Sequence, residues 1–227
     1  MSQLILPDWL ERQFNQGREF RRMASPLQVR ANDDQENEDG WDVEGYATTF
    51  DQWYTLVAWD DYEVQECVDR KAFDNCDMSD FIMQYDHHGR VFARNRNKTL
   101  TAEPDDHGLR TLAKLRGTTL GREILEEVQG GYSDRMSFAF TVKKDKREVV
   151  EDHDTGKVLV QRTILEISKL YDVSIVSIPA NDATEISARG LADGSISWAA
   201  QELRAYEDRR RAYLWLQLQL RLKGANS

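Results

Sequence analysis

Hydrophobic and polar positions alternate with a period of two through most of the middle of this chain. In MSFAFTVK (136–143), Met136, Phe138, Phe140 and Val142 fall on one side and Ser137, Ala139 and Thr141 on the other. That is the signature of a strand with one core face. Leu109, Thr111, Ala113 and Leu115 alternate with Arg110, Leu112 and Lys114 in the same way. KTLTAE (98–103) precedes that run, and EPDDHG between them is a turn cluster. Further strands are expected at WDVEGYATTF (41–50), where Gly45 suggests a bulge or close approach, and at FIMQY (81–85). FRRMASPLQVR (20–30) reads as a short strand or an arm. After the EDHDTGK turn (151–157), KVLVQRTILEI and LYDVSIVSI (170–178) read as two more strands.

Two stretches break the strand pattern. From Thr118 to Gln129, Leu120, Ile124, Leu125 and Val128 recur at helical spacing, and Gly130-Gly131 supply a stop. Ser195 to Leu222 has no Gly or Pro. Its end, LWLQLQLRL (214–222), alternates like a strand but lacks β-branched residues. Propensity predicts a helix with leucines on two opposite faces. The expected architecture is mainly β with a few helices (α+β), an antiparallel barrel-like core and a C-terminal helical tail. Residues 18–190 form the domain, 1–17 an N-terminal arm and 191–227 the tail.

Composition narrows the function. The chain has 227 residues, with 30 Lys+Arg against 40 Asp+Glu, a net charge of −10. An acidic balance argues against a nucleic-acid partner, which calls for a basic footprint. No apolar run is long enough to span a membrane, and MSQLILPDWLERQFNQ does not resemble a secretory signal. Asn32 to Glu44 holds seven acids and no base, a run expected as a solvated loop. Cys67 and Cys76 are expected as reduced packing thiols.

Candidate chemistry centres on hydroxyls, imidazoles and acids. Ser137 lies among small neighbours on the non-core face of its strand, where a substrate has room to approach. A serine needs a base, and the base needs an orienting group. The four histidines are His87, His88, His107 and His153. His107 and His153 sit in acidic turns; His87 and His88 directly follow an apolar strand, and either suits a general base. Asp172 is an unexpected acid within an apolar strand, and Glu166 is a weaker alternative. An ordinary strand serine, a surface histidine pair and an edge-facing Asp172 account for the same residues without chemistry. The runs Asp86-His87-His88, Asp105-Asp106-His107 and Glu151-Asp152-His153-Asp154 offer metal ligands, but nothing in their spacing demands a metal. No dinucleotide, phosphate-loop or GxSxG motif is present, so no cofactor is expected.

Read together, GYATTF (45–50), YDHHGRVFARNRNKTLTAEPDDHGL (85–109), GGYSDRMSFAF (130–140) and LYDVSIVSIPAN (170–181) resemble the prohead serine proteases of tailed bacteriophages. Order and spacing match that family throughout. The resemblance implies a fold similar to the herpesvirus assembly proteases. It also implies an endopeptidase acting inside the immature shell in the host cytoplasm, on scaffold or major capsid protein, with self-processing and self-association as further options. By position it makes Ser137 the nucleophile, His87 the base and Asp172 the third member. His88 stands where the family often has an acid or polar residue, so it is kept as an alternative base, as Glu166 is an alternative acid. A catalytically silent assembly protein of the same fold is the competing expectation.

Overall fold

The two longest strands form one hairpin, and the other elements are arranged around it. The computed structural model describes residues 17–30, 40–176 and 197–224. Strand β10 (Arg135–Glu151) runs antiparallel to β11 (Val158–Val176) along nearly its whole length. The acidic turn between them is shaped by Asp152, whose carboxylate accepts from the Asp154 N–H and the Thr155 hydroxyl.

Sequence periodicity splits β11 into two strands, and the structure runs it as one. Ile164, Ile167, Leu170 and Val173 are all fully buried, yet they are spaced by three. On a flat strand that spacing would alternate between faces. Relative to β10, β11 carries one extra residue at Leu165, Ser168 and Tyr171. Each bulge restores the next apolar side chain to the core face.

The larger sheet runs β1 (Arg18–Pro26), β10, β11, β5 (Tyr62–Val68), β4 (Tyr54–Ala58). Strands β6 (Ile82–Tyr85) and β7 (His88–Arg94) attach to the far half of β11. β11 takes β5 and β6 as successive parallel partners along one edge. Between them, Asp69 N–H donates to the Ile164 carbonyl, Ile167 N–H to Ala72 and Leu170 N–H to Asp77. A second, antiparallel sheet runs β2 (Gln28–Val29), β3 (Val43–Thr49), β9 (Gly108–Ala113), β8 (Leu100–Pro104). The fold is thus mainly β with two helices among the described residues, as expected. Both sheets stay open, and the parallel pairs on β11 were not visible in the periodicity.

The sheets meet where Gly45 of β3 passes Met136 of β10. A Cβ added at Gly45 would lie 2.6 Å from Met136 Sδ, so the glycine marks a close approach. Helix α1 (Thr119–Gln129) begins at Thr118, whose hydroxyl accepts from Gly121 N–H at 2.9 Å. Its Ile124, Leu125 and Val128 enter the main core. Helix α2 (Ser197–Gly224) resolves the conflict in the tail in favour of helix. Its first turn buries Trp198 and Ala199 against Leu56, Val57, Val64 and Val160. Further along, Tyr213, Leu214, Trp215 and Leu216 are 53–62% exposed.

Residues 32–39 of the acidic run lie outside the described residues. Its last two acids are structural rather than solvated. Asp42 is buried and accepts from Leu115 N–H at 2.7 Å and Arg116 Nε at 2.6 Å, while Glu44 accepts from Arg110 Nε at 2.6 Å. Cys67 and Cys76 are free, and burial pushes their thiols up to about 11 and about 12, so both stay protonated at neutral pH.

The core also holds charge. Glu66 is fully buried and binds Arg21 Nε at 2.5 Å, Arg162 Nη1 at 3.1 Å and the Tyr54 hydroxyl at 2.6 Å. Glu19 bridges both arginines at 2.6 Å, and Asp145 accepts from Arg162 Nε at 2.6 Å. Five strands are tied through this cluster. A buried carboxylate is tolerated only with its cations and donors in place. Removing Glu66 leaves two buried guanidiniums short of an acceptor. Glu66→Ala should therefore destabilise the fold by about 3 kcal/mol in urea unfolding. The loss should change little with added salt, since buried pairs are poorly screened.

The same cluster sets an acid limit. Burial pushes the Glu19 and Asp145 carboxyls up, but their arginine partners outweigh it and hold both below the ordinary range. A depressed folded value gives stability that is complete above the unfolded value, roughly pH 4–4.5, and is lost as pH falls through the folded one. Unfolding free energy measured against pH should show that decline, and Arg162→Met should flatten it.

Candidate active site

Register places the site on one face of the β10–β11 hairpin. Ser137 pairs with Ser174, and Ala139 pairs with Asp172. Ser137 and Asp172 are therefore diagonal neighbours on the same side of adjacent strands. Met136, Phe138, Phe140, Val173 and Ile175 point to the opposite, fully buried side. The bulge at Tyr171 makes this possible. Leu170 and Asp172 are two residues apart and would share a face on a regular strand. The extra residue sends Leu170 into the core and leaves Asp172 beside Ser137.

The histidine arrives from the other edge of β11. Strand β6 runs parallel to it, with Ile82 beside Asp172 and Tyr85 beside Ile175. Tyr85 and His88 close a two-residue hairpin around Asp86 and His87. Both turn residues have positive φ, 46° and 60°, as a type I′ hairpin turn requires. Asp86 N–H donates to the Ile175 carbonyl at 2.9 Å and pins the turn to β11. His87 then lies across the two strands.

Its imidazole bridges the other two groups. Nδ1 lies 2.6 Å from Asp172 Oδ1, and Nε2 lies 2.7 Å from Ser137 Oγ. An ionised carboxylate only accepts, so Nδ1 carries the proton and donates it to Asp172. Nε2 is left with its lone pair and accepts from the Ser137 hydroxyl. Phe20 of β1 packs edge-on against the ring, with centroids 4.7 Å apart. Ser174 donates to Asp172 Oδ1 at 2.7 Å. The open approach expected around Ser137 is not found: the serine is fully buried, and the His87 and Asp172 side chains that cover this face are only 10% and 7% exposed. Such a dry setting strengthens each polar contact. Hydroxyl, imidazole and carboxylate in this order can deprotonate a serine as it attacks a carbonyl.

The other candidates are placed elsewhere. His88 is exposed, and its Nδ1 contacts the Asp86 carbonyl. Glu166 accepts from Lys143 Nζ at 2.6 Å, and its register partner is Lys144. Asp105 accepts from the His107 and Gly108 N–H groups, which shapes its turn, and His107 packs edge-on against Tyr46. Among the described residues no three His, Cys, Asp or Glu side chains gather as a metal site.

The profile of the caudovirus prohead serine protease family matches residues 25–195. The chain belongs to that family. The match takes in Ser137, His87 and Asp172 and ends just before α2. Membership makes the chain a serine protease of the prohead, with a role in capsid maturation. No curated protein and no solved structure matches it. Among the described residues, no helix is long and apolar enough to cross a membrane.

Sequence reasoning missed Phe20 and Ser174. Ser174 had a legible signal, because it lies two residues from Asp172 and so shares its face. Phe20 had none, since nothing local says that β1 lies beside β10. The short Nδ1–Oδ1 contact predicts a far-downfield proton resonance for His87 Nδ1–H. Asp172→Asn should remove it from that position while leaving the far-ultraviolet dichroism unchanged.

Proposed function

We propose that this prohead protease is an endopeptidase in which Ser137 is the nucleophile, His87 the general base and Asp172 the orienting acid. The unbroken line of hydrogen bonds from Ser137 through His87 to Asp172 carries the reading. As Ser137 Oγ attacks the peptide carbonyl, its proton passes to His87 Nε2. Asp172 stabilises the imidazolium, and the proton then goes to the leaving amine. Water repeats the sequence to release the acyl group. The substrates are segments of the scaffold and major capsid proteins inside the immature shell, in the host cytoplasm. The protease domain spans residues 18–190, with 1–17 as an arm and 191–227 as a tail.

Ser137→Ala should abolish maturation cleavage of the capsid protein, read as its N-terminus by mass spectrometry of assembled shells. His88→Gln should stay within about threefold of the native rate, as befits an exposed residue outside the hydrogen-bond line. Undiminished cleavage by Ser137→Ala would favour a silent assembly protein of the same fold.

A protease that acts inside a shell must be carried into it. The exposed Tyr213–Leu216 stretch of α2 supplies an apolar surface for binding scaffold or shell protein. Removing residues 209–227 spares Trp198, Ala199 and Leu203, which hold α2 to the body. That truncation should lower the copies of protease per prohead on quantitative gels, with cleavage per packaged copy unchanged. Equal incorporation would refute the role of the tail.

A further inference from the structure

We infer that Ser174 is a positioning residue of this site, acting on the reaction through Asp172. The inference rests on the assignment of Ser137, His87 and Asp172 as the catalytic groups. Ser174 is fully buried on β11, directly across from Ser137 and two residues from Asp172. Its hydroxyl donates to Asp172 Oδ1 at 2.7 Å, the same oxygen that receives His87 Nδ1–H at 2.6 Å. A buried serine needs a partner somewhere. Here the partner is the one oxygen that orients the base.

Two consequences follow from sharing that oxygen. First, the carboxylate is held from two sides, so it cannot turn about its Cβ–Cγ bond without breaking one bond. The imidazole that leans on it is thereby held in line with Ser137. Phe20 supports the ring from the β1 side but is apolar and leaves the carboxylate untouched. Second, the hydroxyl draws off part of the negative charge on Oδ1. With the hydroxyl in place, Oδ1 divides its acceptance between two donors, Ser174 Oγ–H and His87 Nδ1–H.

The test compares the full-length native chain with Ser174→Ala and Ser174→Cys. The readouts are the labelling rate of Ser137 by a fluorophosphonate probe and the His87 Nδ1–H proton resonance. Loss of a hydrogen bond to a charged group should slow labelling by Ser174→Ala about 10-fold. Its resonance should move further downfield as Oδ1 loses the competing donor. Ser174→Cys keeps a weak donor in a similar volume and should lie between native and alanine on both measures. An unchanged rate in Ser174→Ala, or a slower rate with the resonance unmoved, would overturn the inference and leave the catalytic assignment standing. Probe labelling of the native chain at a residue other than Ser137 would overturn both.

Discussion

The pairing of β10 with β11 is the constraint on which the rest of the molecule depends. Ser137 and Asp172 lie far apart in sequence, and only this register makes them neighbours. A slip of one residue would turn every side chain of β11 to the other face. Val173 and Ile175 would then replace Asp172 and Ser174 beside the serine, and two polar groups would enter the core. Core packing and site assembly thus select the same register. The bulges extend that logic along the strand. They let a run of apolar residues spaced by three fill one core, and the last of them divides Leu170 from Asp172. Bulges beside active sites commonly re-aim a side chain.

A second constraint ties the edges of the larger sheet to its centre. Strand β1 is an edge strand, and edge strands fray unless something holds them. Arg21 of β1 reaches inward to Glu66 of β5, and Arg162 of β11 completes the link. The preceding residue on β1, Phe20, packs against His87 on the other face. Anchoring Arg21 therefore also seats Phe20. The same guanidinium of Arg162 lies under the Trp198 ring, so the first turn of α2 rests on the cluster as well. Such buried ion clusters often stabilise less than an apolar core of equal volume would. What this one supplies is a fixed geometry among strands that bear the site and the tail.

Much of this was legible from the chain. The alternation of Met136 to Val142 placed Ser137 on the face opposite the core, and Thr118 with Gly130-Gly131 delimited α1. Gly45 was expected at a bulge or a close approach, and it is found close against Met136. The placement of Asp172 among apolar neighbours pointed to a buried acid with a partner, and it has two. Other features were hidden because they depend on pairing between distant segments. The continuity of β11 was masked by bulges that break the period of two. Its parallel partners β5 and β6 come from a part of the chain whose order along the edge no local pattern encodes. Glu66 and Arg162 did leave a trace: each shares parity with fully or nearly buried valines and isoleucines, Val64 and Val68 in one case, Val160 and Ile164 in the other. A charge at a core position signals a buried partner. Asp42 was hidden in a run of acids whose composition suggested only solvation.

The turn that carries His87 sets backbone and chemistry against each other. Its second position has φ +60°, a conformation that glycine enters more freely than any side-chain-bearing residue. Glycine there would suit the turn better and would remove the imidazole that bridges Ser137 and Asp172. Under the proposed mechanism, position 87 keeps an imidazole where the turn alone favours glycine. Selection for thermal robustness alone would favour glycine in this turn, and a search for stabilising substitutions should leave it out.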